Sequence, residues 1–419
     1  MARTFYVGDV RVAAAGGETE VSARLDAPAI GWRGERLWFR VPHPAGPARP
    51  HGDAFLVALL LPAMAAHATL TIDAPVSASL LDNLEQAQRL LLDWNPRNPW
   101  ARLHRVTIRP ARIEEAPAGA DTTGLFFSGG VDSMYSLLHA ERETGHRIDT
   151  LLFVQGFDVP LSAKALAASI ETELRAAAAV AGRPLITIRT NLRHATDRAV
   201  TWEMEHGAAL AAVGHLLGHI AQRWVLSSAD AYLSNAVYGT NRELDPLWSR
   251  KGLTLVTVGI GVDRATKLAA LAGEPLARQH LLVCWQDRPT AANCGRCPKC
   301  VRTSLQLLVI DALERFRTLP SHVDPALVAN VLAEPAHRQF IWEDLLKRLR
   351  TRTDWQPLAE NVERLIDRTR RAGQRPEFGN LSTKEGRRLA AEWLQRLVRP
   401  RVPVAIRQRL VARRQRFEA

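Results

Sequence analysis

Six consecutive residues in the first third of the chain have the types and spacing of a phosphate-binding loop. They are Ser128, Gly129, Gly130, Val131, Asp132 and Ser133. The two glycines let the backbone bend tightly, so that its N–H groups can approach an anion. The serine hydroxyls can donate hydrogen bonds to phosphate oxygens, and the Asp132 carboxylate can hold a divalent cation. Ser-Gly-Gly is also a common turn sequence, so a plain connection between a strand and a helix is the alternative.

The residues on either side of this hexapeptide favour the phosphate loop over the plain turn. Residues 125–127 form a short apolar run that is typical of a buried parallel strand. Residues 134–140 carry apolar side chains at helical spacing. The N-terminus of such a helix adds partial positive charge at the place where the anion would lie.

All four cysteines of the chain fall within seventeen positions and form the pattern C-x9-C-x2-C-x2-C. They are Cys284, Cys294, Cys297 and Cys300. This spacing can bring four thiolates to one tetrahedral zinc ion. An iron–sulfur cluster is an alternative because it also takes four cysteines. Two disulfides are disfavoured because nothing indicates a secreted protein, and unrelated buried thiols would not cluster in this way.

Strand and helix patterns alternate along the middle of the chain. Strand patterns occupy residues 150–153, 185–190, 224–228 and 253–258, and helical patterns occupy residues 163–181, 199–223 and 267–271. This alternation predicts a parallel sheet with helices on both faces. Ligands of such sheets bind at the carboxyl ends of the strands, where the hexapeptide lies. The predicted fold is therefore a doubly wound α/β domain over residues 119–310.

The hexapeptide SGGVDS resembles the signature SGGxDS of the PP-loop, or N-type, ATP pyrophosphatases. This resemblance implies a doubly wound α/β domain that cleaves ATP between its α- and β-phosphates. The loop would hold the departing pyrophosphate while an oxygen of the substrate receives AMP. The kinase-type loop GxxxxGK[ST] is absent around this segment, so transfer of the γ-phosphoryl group is not indicated.

The loop and the cysteines together are similar to the 7-cyano-7-deazaguanine synthase family of queuosine precursor biosynthesis. The likeness covers about residues 120–310 and includes the tetrapeptide Arg264-Ala265-Thr266-Lys267. In that family a Thr-Lys pair lies between the loop and the zinc site, and its lysine faces the phosphates. The resemblance therefore implies that Lys267 binds phosphate. Residues 153–160 depart from the family's Tyr-Gly-Gln-x-His element, so its substrate contacts do not carry over.

These features predict an ATP-dependent ligase with Mg²⁺ and a structural zinc. The phosphates of ATP would lie on the loop amides and serine hydroxyls, with Asp132 positioning the magnesium. Lys267 and Arg264 would neutralise charge that develops on pyrophosphate. A substrate carboxylate would take AMP, and ammonia or another amine would displace it to give an amide or a nitrile. The zinc would brace the sheet, because four thiolates leave no open coordination position.

Three other functions are left open. A tRNA-modifying sulfurtransferase on the same fold would need a free persulfide cysteine or an iron–sulfur centre, whereas the zinc site uses all four thiols. A non-catalytic nucleotide-binding module would not need both serines and Asp132. A ligase that joins a deazaguanine-like acid to an amine of a protein partner would use the flanking regions for docking.

Two further regions flank the predicted central domain. Residues 1–118 predict an α+β module, and residues 311–419 predict a basic helical region. The strand patterns of the first region lie at residues 4–12, 20–25, 36–41 and 103–109, and its helical patterns lie at residues 54–66 and 77–94. Residues 341–419 carry 20 Lys and Arg against 10 Asp and Glu, which is +10 of the formal +12. Solvated arginines on amphipathic helices explain this charge better than nucleic-acid binding, since no groove-reading motif is recognisable.

The composition is that of an ordinary globular protein. The 419 residues are 47% hydrophobic and 6% aromatic, which allows a large core. The longest apolar run, residues 54–66, contains Pro62 and is too short to span a bilayer, and no signal sequence is visible. We therefore expect a cytoplasmic enzyme that acts on a small-molecule carboxylic acid without a membrane partner, with homodimer formation left open.

Overall fold

One sheet of ten strands organises the described part of the molecule. The computed structural model describes residues 3–47, 49–98, 101–229, 237–284, 293–331 and 339–374. The strands are β1 (Thr4–Ala15), β2 (Glu18–Ala27), β3 (Trp32–Pro42), β4 (Thr69–Val76), β5 (Ile108–Ile113), β6 (Thr123–Phe126), β7 (Thr150–Gln155), β8 (Leu185–Thr190), β9 (Arg223–Ser227) and β10 (Thr254–Val258). Their order across the sheet is β10-β9-β6-β7-β8-β3-β2-β1-β4-β5.

Helices cover both faces of this sheet. Within the described ranges they are α1 (Asp53–Ala66), α2 (Ala78–Asp93), α3 (Val131–Thr144), α4 (Lys164–Val180), α5 (Leu192–Thr196), α6 (Trp202–Leu216), α7 (Arg264–Leu271), α8 (Pro275–His280), α9 (Pro298–Leu308), α10 (Pro325–Asn330), α11 (Gln339–Leu349) and α12 (Gln356–Gln374). Helices α1, α2 and α6 belong to one apolar cluster, and α3, α4, α7 and α9 belong to another. Residues 125–127, at the end of β6 and just after it, contribute alternately to these two clusters, because successive side chains of a strand point to opposite faces of the sheet. Leu125 and Phe127 lie in the second cluster and Phe126 in the first.

The strands β10, β9, β6, β7 and β8 form the predicted doubly wound α/β arrangement. All four pairings among them are parallel. After β6, the strands β7 and β8 are added on one side of β6 in the sheet. The chain then returns and adds β9 and β10 on the other side of β6. The strand order therefore reverses between β6 and β9. Ligands of open α/β sheets bind at such a switch point, outside the carboxyl ends of the strands.

The strands of the first region continue the same sheet. β3 pairs antiparallel with β8 through Phe39 with Thr190 and Arg40 with Arg189. Side chains close this seam, since the Thr190 hydroxyl donates to the Trp38 carbonyl at 2.7 Å and the Trp38 N–H donates to Asn191 Oδ1 at 2.9 Å. The first region has α+β character as predicted for residues 1–118, but it also contains β4, which the sequence patterns did not predict. Its sheet is joined edge to edge with the central one.

A buried ion pair also links the first region to the central strands. Asp53, at the start of α1, lies 3.3 Å from Arg250 Nε, and both side chains are almost fully buried. Ser77 donates from its hydroxyl to Asp53 at 2.7 Å. His215 of α6 donates from Nε2 to the Trp248 carbonyl at 2.7 Å, and burial lowers the pKa of His215 to about 4.

Two predicted elements differ from the structure in their bounds more than the others do. The strand predicted at residues 103–109 is observed as β5 at Ile108–Ile113. Asn95 accounts for the difference, because its side chain bonds the N–H and the carbonyl of Leu103, which a strand partner would otherwise satisfy. The helix predicted at residues 199–223 is observed as α6 at Trp202–Leu216, since Thr201 is extended and acts as its N-cap.

Helices α10, α11 and α12 agree with the predicted helical character of residues 311–419 where that region is described. Residues 332–338 and 375–419 lie outside the described residues. Exposed arginines here pair with carboxylates, as Arg350 does with Glu363 at 2.7 Å, which is typical of solvated helix faces. None of the helices that the structure describes has the length and apolar character needed to cross a membrane.

Candidate active site

The hexapeptide forms a tight loop between the carboxyl end of β6 and the start of α3. Gly129 has φ +71°, a left-handed conformation that favours glycine. Its carbonyl accepts a hydrogen bond from the Leu282 N–H at 2.8 Å. A Cβ at this position would lie 2.9 Å from Leu174 Cδ2. The left-handed backbone therefore favours glycine here, and a Cβ would also force the Leu174 side chain to shift.

The N-terminus of α3 is open to an anion. Gly130 is the N-cap residue, and no side chain caps the helix. The first intrahelical bond runs from the Met134 N–H to the Gly130 carbonyl at 2.8 Å. The Ser133 hydroxyl donates to the same carbonyl at 3.2 Å and lies 3.3 Å from the Ser128 hydroxyl. Both predicted serines thus line the uncapped helix terminus, where N–H groups and the helix dipole favour negative charge.

Lys267 reaches this loop from α7. Its Nζ lies 2.8 Å from Asp132 Oδ1 and donates to the Ser228 carbonyl at 2.5 Å and to the Ser228 hydroxyl at 3.2 Å. The Lys267 side chain is 1% exposed, whereas that of Asp132 is 29% exposed. Asp263 caps α7 by accepting from the Thr266 N–H at 2.8 Å and from its hydroxyl at 3.1 Å. Thr266 therefore anchors the start of α7 to its capping residue Asp263, and Lys267 places a buried ammonium group beside the loop.

Arg264 connects the loop to α9, the helix that carries Cys300 and is capped by Cys297. Its Nη1 lies 3.5 Å from Asp132 Oδ2, and its Nη2 donates to the Thr303 hydroxyl at 3.3 Å. Thr303 is on α9, three residues after Cys300. The two oxygens of Asp132 therefore face two different cations, and the structure brings together the predicted Asp132, Lys267 and Arg264.

Several residues of the site were not predicted from the sequence. The Tyr135 hydroxyl donates to Glu143 Oε1 at 2.7 Å, and the other Glu143 oxygen accepts from the Gly259 N–H at 2.7 Å. Burial, and then this bond to Glu143, raise the pKa of Tyr135. Ser228 and Gly259 directly follow the carboxyl ends of β9 and β10. The switch-point rule could have identified these two residues, whereas the Tyr135–Glu143 contact has no comparable signal in the sequence.

The four cysteines converge into a cluster that is able to bind a metal ion. Their sulfur atoms all lie within 4.8 Å of one another. Metal–sulfur bonds of about 2.3 Å in a tetrahedron would place the sulfurs about 3.8 Å apart, which this cluster can accommodate. Hydrogen bonding to the Cys284 thiol is the largest cause that lowers the pKa of Cys294 and raises those of Cys297 and Cys300. Four thiolates within 4.8 Å of one another would repel, so a bound cation is needed for all four to be ionised together.

Backbone and side-chain contacts shape the cysteine cluster. Cys297 is the N-cap residue of α9, and its N–H donates to Cys294 Sγ at 3.0 Å. Gly295 has φ +72°, and a Cβ there would lie 2.8 Å from Pro320 Cγ. The Asn293 amide donates to the carbonyls of Leu281 and Thr318 at 2.8 and 3.0 Å. Residues 285–292, between the first two cysteines, lie outside the described ranges.

A row of rings lies at the carboxyl edge of the sheet, near the ends of β7 and β9. The ring centroids of Phe157 and Trp202 are 5.0 Å apart, and those of His206 and Tyr238 are 4.6 Å apart. His206 Nε2 lies 3.1 Å from the Thr240 hydroxyl. The polar segment at residues 240–249 thus begins against this aromatic row.

No protein-family model matches the chain, and neither a curated protein nor a solved structure matches it.

Proposed function

We propose that the protein is an ATP-dependent ligase of the PP-loop type, similar to 7-cyano-7-deazaguanine synthase. It adenylates a substrate carboxylate with release of pyrophosphate, and an amine then displaces AMP. One observation carries this proposal: the open N-terminus of α3 lies at the switch point of the sheet, with Lys267 held against Asp132. Helix N-termini at such positions are suited to phosphate groups.

The loop residues fit the phosphates of ATP. The free N–H groups at the start of α3 and the Ser128 and Ser133 hydroxyls would bind phosphate oxygens. Mg²⁺, when bound, would offset phosphate charge. The Asp132 oxygen that faces Arg264 at 3.5 Å is the better candidate to hold that ion, since its other oxygen is tightly bound to Lys267 at 2.8 Å.

Lys267 and Arg264 supply positive charge at fixed positions beside the loop. Lys267 is held by the Ser228 carbonyl and hydroxyl, and Arg264 is held by Thr303. Charge that develops on departing pyrophosphate would meet these cations without further rearrangement, which is the arrangement that lowers a reaction barrier. The neighbouring aromatic row would suit a planar acid, because aromatic side chains stack on flat rings.

Zinc is the ion that we propose for the cysteine cluster, in a structural role. Four cysteine ligands are typical of closed structural sites. The ion would fix the start of α9, and α9 supports Arg264 through Thr303. The chain has only four cysteines, so a filled site leaves no thiol for the persulfide chemistry of a sulfurtransferase.

Product analysis tests the proposal. We would incubate the purified protein with Mg²⁺, ammonium, deazaguanine-like carboxylic acids and ATP labelled at either its α- or its γ-phosphate. We expect labelled AMP and labelled pyrophosphate. Formation of ADP and phosphate, or ATP binding without turnover on any acid, would contradict a ligase of this type.

Two glycine variants provide a matched comparison. Gly129 and Gly145 both have left-handed backbones, at either end of α3. A Cβ at Gly145 would meet no atom within 4 Å, whereas one at Gly129 would meet Leu174. We expect Gly129→Ala to reduce AMP formation by about 100-fold or more, the effect of displacing a preorganised donor. Gly145→Ala should keep its rate, and equal rates for the two variants would contradict the role of the loop.

A further inference from the structure

A pocket in the first region of the chain is lined by basic and hydroxyl side chains. Its volume is about 540 Å³, which is within the range of clefts that hold small molecules. Its polar lining comes from Arg3, Arg105, Thr69, Thr107 and His67. None of the described residues that line it is acidic. The chemistry of this wall therefore favours an anion.

The ends of three neighbouring strands hold part of this lining side by side. Arg3 and Thr107 directly precede β1 and β5, and Thr69 is the first residue of β4, which lies between those two strands. The Thr69 N–H donates to the Arg3 carbonyl at 2.9 Å, and the Leu70 N–H donates to the Thr107 carbonyl at 2.9 Å. Because neighbouring strands lie about 4.8 Å apart, the backbones of the three lining residues span about 10 Å.

Contacts at the end of α1 fix two further groups of the pocket. Arg3 Nη1 donates to the Ala66 carbonyl at 3.0 Å, so this guanidinium is held at the C-terminal end of the helix. His67 follows as the C-cap residue, with a left-handed backbone at φ +52°. The ring of His67 stacks on that of His104, with centroids 4.4 Å apart and an angle of 17° between the planes. The wall of the pocket is therefore built by contacts within the protein.

Positive charge exceeds negative charge around Arg105. The Arg105 guanidinium pairs with Glu85, but the same carboxylate oxygen also lies 3.4 Å from Arg89 Nη2. Burial is the main cause of the lowered pKa of His104, and the positive charge of Arg102 adds to it. Three arginines against this one carboxylate leave net positive charge beside the pocket.

We propose that this pocket binds the phosphate group of a phosphorylated small molecule. Two guanidinium groups and two hydroxyls offer more donors than the two oxygens of a carboxylate can use, whereas a phosphate ester presents three terminal oxygens. A divalent metal ion fits poorly, because it takes carboxylate ligands and the described lining has none. The volume leaves room for the rest of the ester beside its phosphate. This proposal does not depend on the ligase chemistry.

The strand directions place this pocket on the same edge of the sheet as the phosphate loop, but far from it. β3 is antiparallel to β8, β2 to β3 and β1 to β2, so β1 and its parallel neighbours β4 and β5 run opposite to the central strands. Their amino ends therefore lie at the edge where the central strands have their carboxyl ends. Six strand steps separate β4 from β6, which is about 29 Å along the sheet. The pocket is therefore a second site and not an extension of the loop.

Calorimetric titration of the full-length protein with ribose 5-phosphate, at low ionic strength and without ATP, tests the proposal. We expect Arg105→Gln and Arg3→Gln each to raise the Kd by about tenfold or more, the factor expected for a charge-assisted hydrogen bond. Arg105 is exposed, so its variant should fold. Thr107→Val should have a smaller effect. Arg89→Gln is the matched control, because Arg89 contacts the same Glu85 but does not line the pocket, and it should keep the wild-type Kd.

Three further comparisons identify what is bound and where. Ribose without its phosphate should not bind, and inorganic phosphate should bind more weakly than the ester. Gly129→Ala, which alters the phosphate loop, should leave this Kd unchanged. A Kd that is unchanged in Arg105→Gln, an equal loss in Arg89→Gln, or binding that disappears in Gly129→Ala would overturn the proposal. Tighter binding of oligothymidylate with the same dependence on Arg105 would assign the pocket to a nucleic-acid backbone and overturn the small-molecule ligand.

Discussion

The Asp132–Lys267 pair should respond unequally to the loss of its two partners. Lys267 is 1% exposed and Asp132 is 29% exposed, so the group left behind differs in each variant. Asp132→Ala leaves a buried ammonium without its carboxylate, and removing one partner of a buried pair costs about 3–5 kcal/mol. Lys267→Met leaves a partly hydrated carboxylate that still faces Arg264 at 3.5 Å. It also leaves the buried Ser228 carbonyl without this donor, which costs about 1–3 kcal/mol.

We therefore expect Asp132→Ala to lower the free energy of unfolding by about 2 kcal/mol more than Lys267→Met does. The double variant removes both charges, so it should be less destabilised than the sum of the single variants by about 1–3 kcal/mol. Urea unfolding at constant pH and ionic strength measures all three values.

An exposed ion pair of the same protein serves as the control. Arg175 Nε lies 3.1 Å from Glu171 on the surface of α4, and Arg175→Met should cost no more than about 0.5 kcal/mol. If Lys267→Met destabilised the protein as much as Asp132→Ala, or if the two changes were additive, the difference in burial would not govern this pair.

Two further predictions concern the metal cluster and the buried histidine. The purified protein should hold about one zinc per chain. Cys300→Ser should lose most of it, whereas iron with acid-labile sulfide would refute the zinc assignment. Because the pKa of His215 falls from 6.5 unfolded to about 4 folded, the unfolded chain binds more protons between these values. Stability should therefore drop by up to about 3 kcal/mol as pH falls from 6.5 to 4. The side-chain amide in His215→Gln can still donate to the Trp248 carbonyl, and this variant should flatten the pH dependence of the free energy of unfolding measured in urea. An unchanged pH dependence in this variant would show that His215 is not its cause.

The phosphate loop with α3 and the cysteine cluster were predictable because the residues that form each of them are close together in the sequence. Val131–Thr144 and the loop before it follow from two glycines, an apolar run and helical spacing over about twenty residues. The convergence of the cysteines follows from short spacings. The contact between Asp132 and Lys267 joins residues 135 positions apart, and only the family resemblance placed them together.

Other features had no local signal to predict them. The pairing of β3 with β8 depends on the register of two distant strands, which alternating patterns alone do not specify. Glu205 reads in the sequence as an ordinary polar residue near the start of a helix. Its complete burial arises from packing of α6 against α1 and the sheet, so only the three-dimensional structure reveals it.

The seam between β3 and β8 determines how the protein can be divided and how it can move. A chain that began at residue 119 would expose the backbone edge of β8, and unprotected strand edges pair with other chains and promote aggregation. It would also leave Arg250 buried without Asp53. Hinged opening between the first region and the central strands would break the same ladder, so the two parts of the sheet are expected to move as one body.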